Sequence, residues 1–115
     1  VADFLRAHPA GQRLNPGIRR LVRALQQRGV AVYLISGGFR ELALPVAREL
    51  GIAPDSVFAN RMLFTADDET GLPTRFAGFD AREPTCRRGG KPEVIESLRA
   101  LHPYENVVMV GDGIT

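Results

Sequence analysis

The run VAVYLI at residues 30–35, followed by SGG at residues 36–38, is the clearest structural signal in the sequence. Six consecutive apolar residues, several of them β-branched, are typical of a short strand that is buried on both faces. Strands of this kind lie inside parallel sheets that helices cover on both sides. We therefore expect a buried strand over residues 30–35, with the serine and two glycines at its carboxyl end.

The segments on either side of this strand have the apolar spacing of helices. Upstream, a helix is predicted to begin at Asn15, an N-cap residue followed by proline, and to end at Gly29. Downstream, residues 39–50 predict a second amphipathic helix, and Pro45 is expected to kink it or to break its first turns. Helices thus flank the predicted strand in sequence.

The second half of the chain continues the alternation of helices and strands. Residues 57–65 and 74–79 predict a β-hairpin around a polar loop. A third helix is predicted from Lys91 to residue 101, and the run VVMV at residues 107–110 predicts a second fully buried strand. The order predicts an α/β fold, a partial Rossmann-like parallel sheet that is doubly wound and carries a β-hairpin insertion.

Composition limits the classes of protein to which the chain can belong. Its 115 residues suit one domain, and 44% hydrophobic with 24% charged residues is ordinary for a folded protein. A net charge of +2 predicts no nucleic-acid partner. The longest apolar runs fall far short of the roughly 20 residues that cross a bilayer, so no membrane partner is expected. The single cysteine, Cys86, cannot form an internal disulfide.

Two glycine-flanked polar turns follow the predicted parallel strands. Because open parallel sheets bind ligands beyond the carboxyl ends of their strands, both turns are candidate sites. Ser36, Gly37 and Gly38 precede a helix, whose free N–H groups suit a phosphate; the alternative is an ordinary helix cap in a tight turn. Asp112 lies between two glycines and could hold Mg²⁺; the alternative is a plain turn aspartate.

Lys91 is the third candidate. It follows two glycines, precedes a predicted helix, and is the only lysine among 15 basic residues. A lysine in this position could neutralise a phosphate as a point charge. The alternative is a solvated surface lysine.

Together these motifs resemble the phosphoserine phosphatase family of the haloacid dehalogenase superfamily. The resemblance rests on a strand that ends in Ser36, a lysine before a later helix, and the sequence GDGIT at residues 111–115. Further motifs of that family are similar to LNPG at residues 14–17, LISGGFR at 34–40, VFANR at 57–61, AGFD at 77–80, PT at 84–85 and GGK at 89–91. They extend over nearly the whole chain.

The resemblance implies Mg²⁺-dependent hydrolysis of O-phosphoserine, a small-molecule phosphate ester, to serine and phosphate. In the family this is the last step of serine biosynthesis and runs through an aspartyl-phosphate intermediate. By the same resemblance, the catalytic residues would be Ser36, which hydrogen-bonds the transferring phosphoryl group, and Lys91, which stabilises its charge. Gly37 and Gly38 would contact the substrate through their backbone.

The resemblance also implies Asp112 as a ligand of Mg²⁺ and Thr115 as a residue beside the substrate. It divides the chain into residues 1–13, the end of a helical cap segment, and residues 14–115, a partial core domain. A soluble, cytoplasmic protein is expected, or an organellar one if a transit segment was lost. The oligomeric state stays open.

The chain departs from the family pattern at its most reactive position. The family's first motif, an Asp-x-Asp pair that carries the nucleophile, does not occur in these 115 residues. We therefore expect a central fragment that does not hydrolyse phosphoserine alone, since the covalent nucleophile is missing. Two alternatives stay open: a non-catalytic phosphate-binding or partner module, and a phosphatase of another small phosphate ester.

Overall fold

The protein's computed structural model describes residues 6–7, 9, 11, 14–72, 75–86 and 90–111. Helices and strands alternate in it, as expected for an α/β protein. The elements are α1 (Ile18–Gln27), β1 (Leu34–Phe39), α2 (Arg40–Leu50), β2 (Val57–Asn60), β3 (Met62–Thr65), β4 (Arg75–Phe79) and α3 (Gly90–Leu101). Two 3₁₀ turns, Pro54–Ser56 and Pro84–Cys86, lie in the connections.

β1 and β2 form a parallel pair, which confirms the predicted sheet type. The predicted bounds of the first strand, 30–35, are wrong, because pairing begins at Leu34 opposite Val57 and the strand continues to Phe39. β2 has only four residues, so the backbone of residues 30–33 has no strand partner in the described part of the chain. β1 is only half-buried, with an exposed carboxyl end, rather than buried on both faces.

α1 begins later than the sequence predicts. Its N-cap is Gly17 in the left-handed conformation, at φ 85°, and no side chain caps the helix. Asn15 instead contributes its carbonyl oxygen, which accepts the backbone N–H of Ile18 at 3.3 Å. The predicted role of Asn15 as N-cap is therefore wrong, because Gly17 adopts the positive φ that this turn requires.

α2 continues without a break through Pro45, and Gly51 ends it in the left-handed conformation at φ 71°. Of the two effects predicted for Pro45, the break of the first turns is absent, because neighbouring packing holds both halves of the helix, and the kink stays a prediction. Ala43 and Ala47, one on each side of the proline, are buried against β2 and α1. The main core consists of Val22, Ala43, Ala47, Ile52, Val57 and Ala59.

The predicted hairpin is confirmed, but its first strand is shorter than expected. Residues 57–65 form two strands separated at Arg61: β2 pairs with β1, and β3 pairs antiparallel with β4. Asp67 closes the hairpin loop, since its Oδ1 accepts the backbone N–H groups of Glu69 and Thr70 at 2.8 and 3.2 Å. This arrangement is an Asx turn, which explains the acidic residue at that position.

The predicted buried strand at residues 107–110 is wrong. These residues have no regular secondary structure, and Val108 and Val110 are 84% and 82% exposed. No strand among the described residues lies beside them to bond their backbone groups, and a strand without a partner has no hydrogen-bonded ladder. The segment before them is held at the entry to β1, where the hydroxyls of Tyr33 and Tyr104 form a hydrogen bond of 2.5 Å.

Most of residues 1–13 lie outside the described part of the chain. The division of the protein at residue 13 therefore stays a prediction. Among the residues that the structure describes, no helix has the length and apolar content to cross a membrane.

Candidate functional site

Ser36 lies in β1, where the pairing with β2 shifts before resuming at Phe39. Residues 36–38 therefore lie in the strand at the carboxyl end of the sheet without being in regular register with β2. The Oγ atom of Ser36 accepts the backbone N–H of Gly38 at 3.0 Å. The hydroxyl proton of Ser36 is then directed away from that N–H and can be donated to a ligand.

The two glycines give this stretch an accessible backbone. Both are exposed, and a Cβ atom at Gly37 would meet nothing within 4 Å. A Cβ atom at Gly38 would lie 3.3 Å from Ser36 Oγ, which is closer than an ordinary van der Waals contact. Beside them, a cleft of about 350 Å³ opens between β1 and the apolar face of α2. We call residues 36–38, which the sequence predicts to bind phosphate, the phosphate loop from here on.

Asn60 fixes the position of this loop. It is buried at the carboxyl end of β2, and its side-chain Nδ2 donates to the carbonyl oxygen of Gly37 at 2.7 Å. Its Oδ1 accepts the hydroxyl of Thr85, also buried, at 2.9 Å. Sequence reasoning assigned no role to Asn60 or Thr85. Asn60 could have been noticed as a polar residue at the end of an apolar strand, since the carboxyl ends of parallel strands form the edge where ligands bind.

Lys91 is near the start of α3, which packs beside β1. Gly90 is buried and lets the helix approach the 3₁₀ turn Pro84–Cys86 closely, because a Cβ atom at this position would overlap the backbone carbonyl of Pro84. The Lys91 side chain is half-buried, and among the described residues it has no ion-pair partner. Ser36 and Lys91 thus belong to two elements in contact, β1 and α3.

A larger cleft, of about 420 Å³, opens between α2 and the hairpin and contains three arginines. Each arginine already has a partner. Arg40 donates to the carbonyl of Val57 at 2.6 Å, Arg61 pairs with Glu83 at 2.7 Å, and Arg82 pairs with Asp80 at 2.8 Å. Among the lining residues that the structure describes, this cleft therefore presents no unpaired cation for a phosphate, and we do not assign it as the site.

Asp80 is the strongly perturbed acid of this region. The hydrogen bonds from the Arg82 side chain, followed by the one from its backbone N–H, lower the pKa of Asp80 to about 2. The carboxylate accepts three side-chain bonds from Arg82, at 2.8 to 3.2 Å. The pairing is structural: Asp80 also donates its backbone N–H to the Arg61 carbonyl at 2.8 Å, which ties the end of β4 to the start of β3.

The family model of haloacid dehalogenase-like hydrolases matches residues 1–115. The chain belongs to this family. The match covers every candidate residue, including those at the carboxyl terminus.

Curated relatives also match the full chain. It is 44% identical to the chloroplastic phosphoserine phosphatase of Arabidopsis thaliana and 46% identical to the phosphoserine phosphatase of Bos taurus. The chain spans 36% and 48% of the lengths of these two relatives. Among solved structures, DsGPDH of Dunaliella salina matches with a TM-score of 0.79 and 46% identity, over 97% of this chain and 17% of that one.

Two residues expected at the site of this hydrolase domain, Asp112 and Thr115, lie outside the described residues. The described residues do not themselves fit a magnesium ion. Around Ser36 they supply a hydroxyl, an amide and backbone groups, and nowhere in the described part do three His, Cys, Asp or Glu side chains cluster. Mg²⁺ prefers carboxylate oxygens, so a metal site at this position would depend on Asp112.

Proposed function

We propose that the chain carries the phosphate-binding part of a phosphoserine phosphatase, which hydrolyses O-phosphoserine to serine and phosphate. The observation that carries the proposal is that β1, which contains the phosphate loop, contacts α3, which contains Lys91, in a chain that the family model matches. Within the described part of the chain, Lys91 has no ion-pair partner. The identity of 44–46% to phosphoserine phosphatases over all 115 residues supports this choice of substrate. Because the chain spans less than half of these relatives, the hydrolysis reaction of a whole enzyme is itself proposed.

Each described residue has a role that follows from its chemistry. The Ser36 hydroxyl donates to a phosphoryl oxygen, while the exposed glycine backbone allows the phosphate to approach closely. The Lys91 ammonium neutralises charge on the phosphoryl oxygens as a point charge. Phosphoryl transfer is catalysed mainly by positioning and by charge stabilisation of this kind. Thr115 is proposed to lie beside the substrate, on the resemblance alone.

The nucleophile is not supplied by this chain, since it contains no Asp-x-Asp pair. We therefore propose that these 115 residues bind phosphate but do not form the aspartyl-phosphate. Magnesium dependence, with Asp112 as a ligand, also stays part of the proposal and rests on the resemblance. A cytoplasmic location is proposed in the same way, although the Arabidopsis relative is named as chloroplastic.

Calorimetric titration of the chain with inorganic phosphate tests the proposal. We expect Lys91→Ala to weaken binding by roughly tenfold to a hundredfold, the range for losing a hydrogen bond to a charged group. Arg99→Ala is the matched control, because it removes a positive charge from an exposed position on the same helix. Equal affinity of Lys91→Ala and wild type, or no phosphate binding by the wild type, would refute the assignment.

A second candidate function is hydrolysis of another small phosphate ester. The match of the full chain, at 30% identity, to a 2-hydroxy-3-keto-5-methylthiopentenyl-1-phosphate phosphatase of Geobacillus kaustophilus favours it, because that relative is named for a different phosphate ester. Competition against bound phosphate separates the two. If the site is that of a phosphoserine phosphatase, O-phosphoserine should displace bound phosphate more strongly than other phosphate monoesters of similar size do.

A further inference from the structure

Two buried polar side chains connect the phosphate loop to the turn that precedes Lys91. Asn60 and Thr85 are each only 7% exposed, and they hydrogen-bond to each other. A buried polar group costs free energy unless it is hydrogen-bonded, and apolar residues of the same size would fill the same space. The pair therefore requires an explanation beyond packing.

The direction of each hydrogen bond in this connection is fixed by chemistry. The Gly37 carbonyl can only accept, so the amide nitrogen of Asn60 must face it. The Asn60 oxygen then faces Thr85 and must accept the threonine hydroxyl proton. Reversing the amide would place two acceptors against each other at 2.7 Å. One arrangement alone satisfies the Asn60 amide at both contacts.

The far end of the connection lies next to Lys91 in the structure. Thr85 is in the 3₁₀ turn Pro84–Cys86, and the backbone of this turn packs directly against Gly90. A Cβ atom at Gly90 would lie 3.1 Å from the Cα of Thr85. Because Lys91 is the next residue, a shift of the turn would move the start of α3 and its lysine with it.

We infer that Asn60 and Thr85 are positioning residues, which hold the phosphate loop in a fixed position relative to Lys91. We call the Gly37 carbonyl and the side chains of Asn60 and Thr85 the relay. The positioning role of the relay rests on the proposed function, in which the phosphate loop and Lys91 are the two groups that bind phosphate. Neither Asn60 nor Thr85 needs to touch the substrate, since one acts through Gly37 and the other through its turn.

The relay is tested first without ligand, by NMR of the wild-type chain. The Asn60 side-chain amide protons should be protected from solvent exchange, which no merely surface asparagine shows. Thr85→Val keeps the shape of the side chain but removes the hydroxyl, whereas Thr85→Ser keeps the hydroxyl. We expect exchange of the Asn60 amide to be roughly five- to tenfold faster in Thr85→Val, the effect of one lost hydrogen bond. The Gly38 amide resonance should also shift.

Two comparisons exclude a simple loss of stability. Thr85→Ser should restore wild-type exchange and the Gly38 resonance. Val22→Ala, which opens space in the core on α1, should lower the melting temperature but leave both signals unchanged. An unprotected Asn60 amide in the wild type would overturn the relay even if Thr85→Val failed to fold. So would a Gly38 resonance that is the same in Thr85→Val and Thr85→Ser.

The second readout is affinity for inorganic phosphate. Thr85→Val should bind it roughly two- to tenfold more weakly than wild type, the effect of one lost hydrogen bond, and Thr85→Ser should bind it normally. Equal affinity in the two variants would contradict the positioning role. If the wild type bound no phosphate, the proposed function would fail, while the exchange data would still decide whether the relay couples the loop to the turn.

Discussion

At the scale of single residues, charges in this protein are placed according to their surroundings. Asp80 has a side chain that is only 10% exposed and is held by three side-chain bonds from Arg82. Lys91, by contrast, is half-buried with no ion-pair partner among the described residues. An acid that is already paired is structural, whereas a partly buried cation that is not paired is available for an anion.

The pairing of Asp80 predicts a loss of stability in acid. Its pKa is about 2 in the folded chain against an ordinary 3.8, so between these values the unfolded chain binds more protons. The stabilisation is complete above about pH 4 and is lost as pH falls through the folded pKa near 2. Urea denaturation between pH 2 and 5 should show a shallower pH dependence for Arg82→Gln than for the wild type.

The control is Arg75→Gln, which removes the exposed ion pair between Arg75 and Asp68. Exposed pairs contribute little to stability, so this variant should keep the pH dependence of the wild type. A pH dependence of Arg82→Gln as steep as that of the wild type would show that Asp80 is not the titrating group.

At the scale of elements, a close approach places α3 against the 3₁₀ turn Pro84–Cys86. Gly90 permits this approach because the Pro84 carbonyl occupies the space where a Cβ atom would stand. Two opposite effects then act in Gly90→Ala. Alanine favours a helix over glycine by up to about 1 kcal/mol, while overpacking against a neighbour costs about 1–3 kcal/mol.

We expect overpacking to prevail in Gly90→Ala, because the atom that must give way is backbone rather than the end of a flexible side chain. The free energy of unfolding in urea should fall by about 1–2 kcal/mol, at the lower end of the range for overpacking after the helix gain is subtracted. Gly111→Ala is the control, since a Cβ atom there would meet nothing within 4 Å. A Gly90→Ala chain as stable as the control would contradict the close packing of α3.

The helices and strands differ in how well the sequence predicts them. The three helices and the hairpin follow from local apolar spacing and from glycine and proline positions, and these elements are present. The bounds of β1 and the unpaired state of residues 107–110 depend on which strand lies alongside, and that information is not local. The helix at residues 39–50 was predicted, but its continuity through Pro45 was not, since the packing partners of α2 are distant in sequence.

The residues of the candidate site also differ in whether local sequence predicts them. Ser36 and Lys91 could be found because their chemistry stands next to glycine turns and helix starts in the sequence. The relay could not, because Asn60 and Thr85 are 25 residues apart and gain their role only where β2 meets the 3₁₀ turn. Asp112 and Thr115 lie outside the described residues, so their roles stay predictions.

At the scale of the whole molecule, the chain is more open than a typical domain of its length. Its radius of gyration is 16.1 Å, against about 13 Å for a compact domain of 100 residues. Half of the six residues in the main core are alanine, and the apolar residues 107–110 are exposed. Polar contacts such as the relay therefore matter for keeping the phosphate loop and Lys91 together in this chain.

We propose that these 115 residues bind phosphate through Ser36 and Lys91 but lack the nucleophile that hydrolysis requires. Phosphorus-31 NMR of O-phosphoserine, with the chain and Mg²⁺ present, tests both halves in one sample. We expect the phosphoserine resonance to broaden or shift on adding the wild type but not Lys91→Ala, and no inorganic phosphate to accumulate. An unchanged resonance with the wild type, or a steady growth of the inorganic phosphate signal, would contradict it.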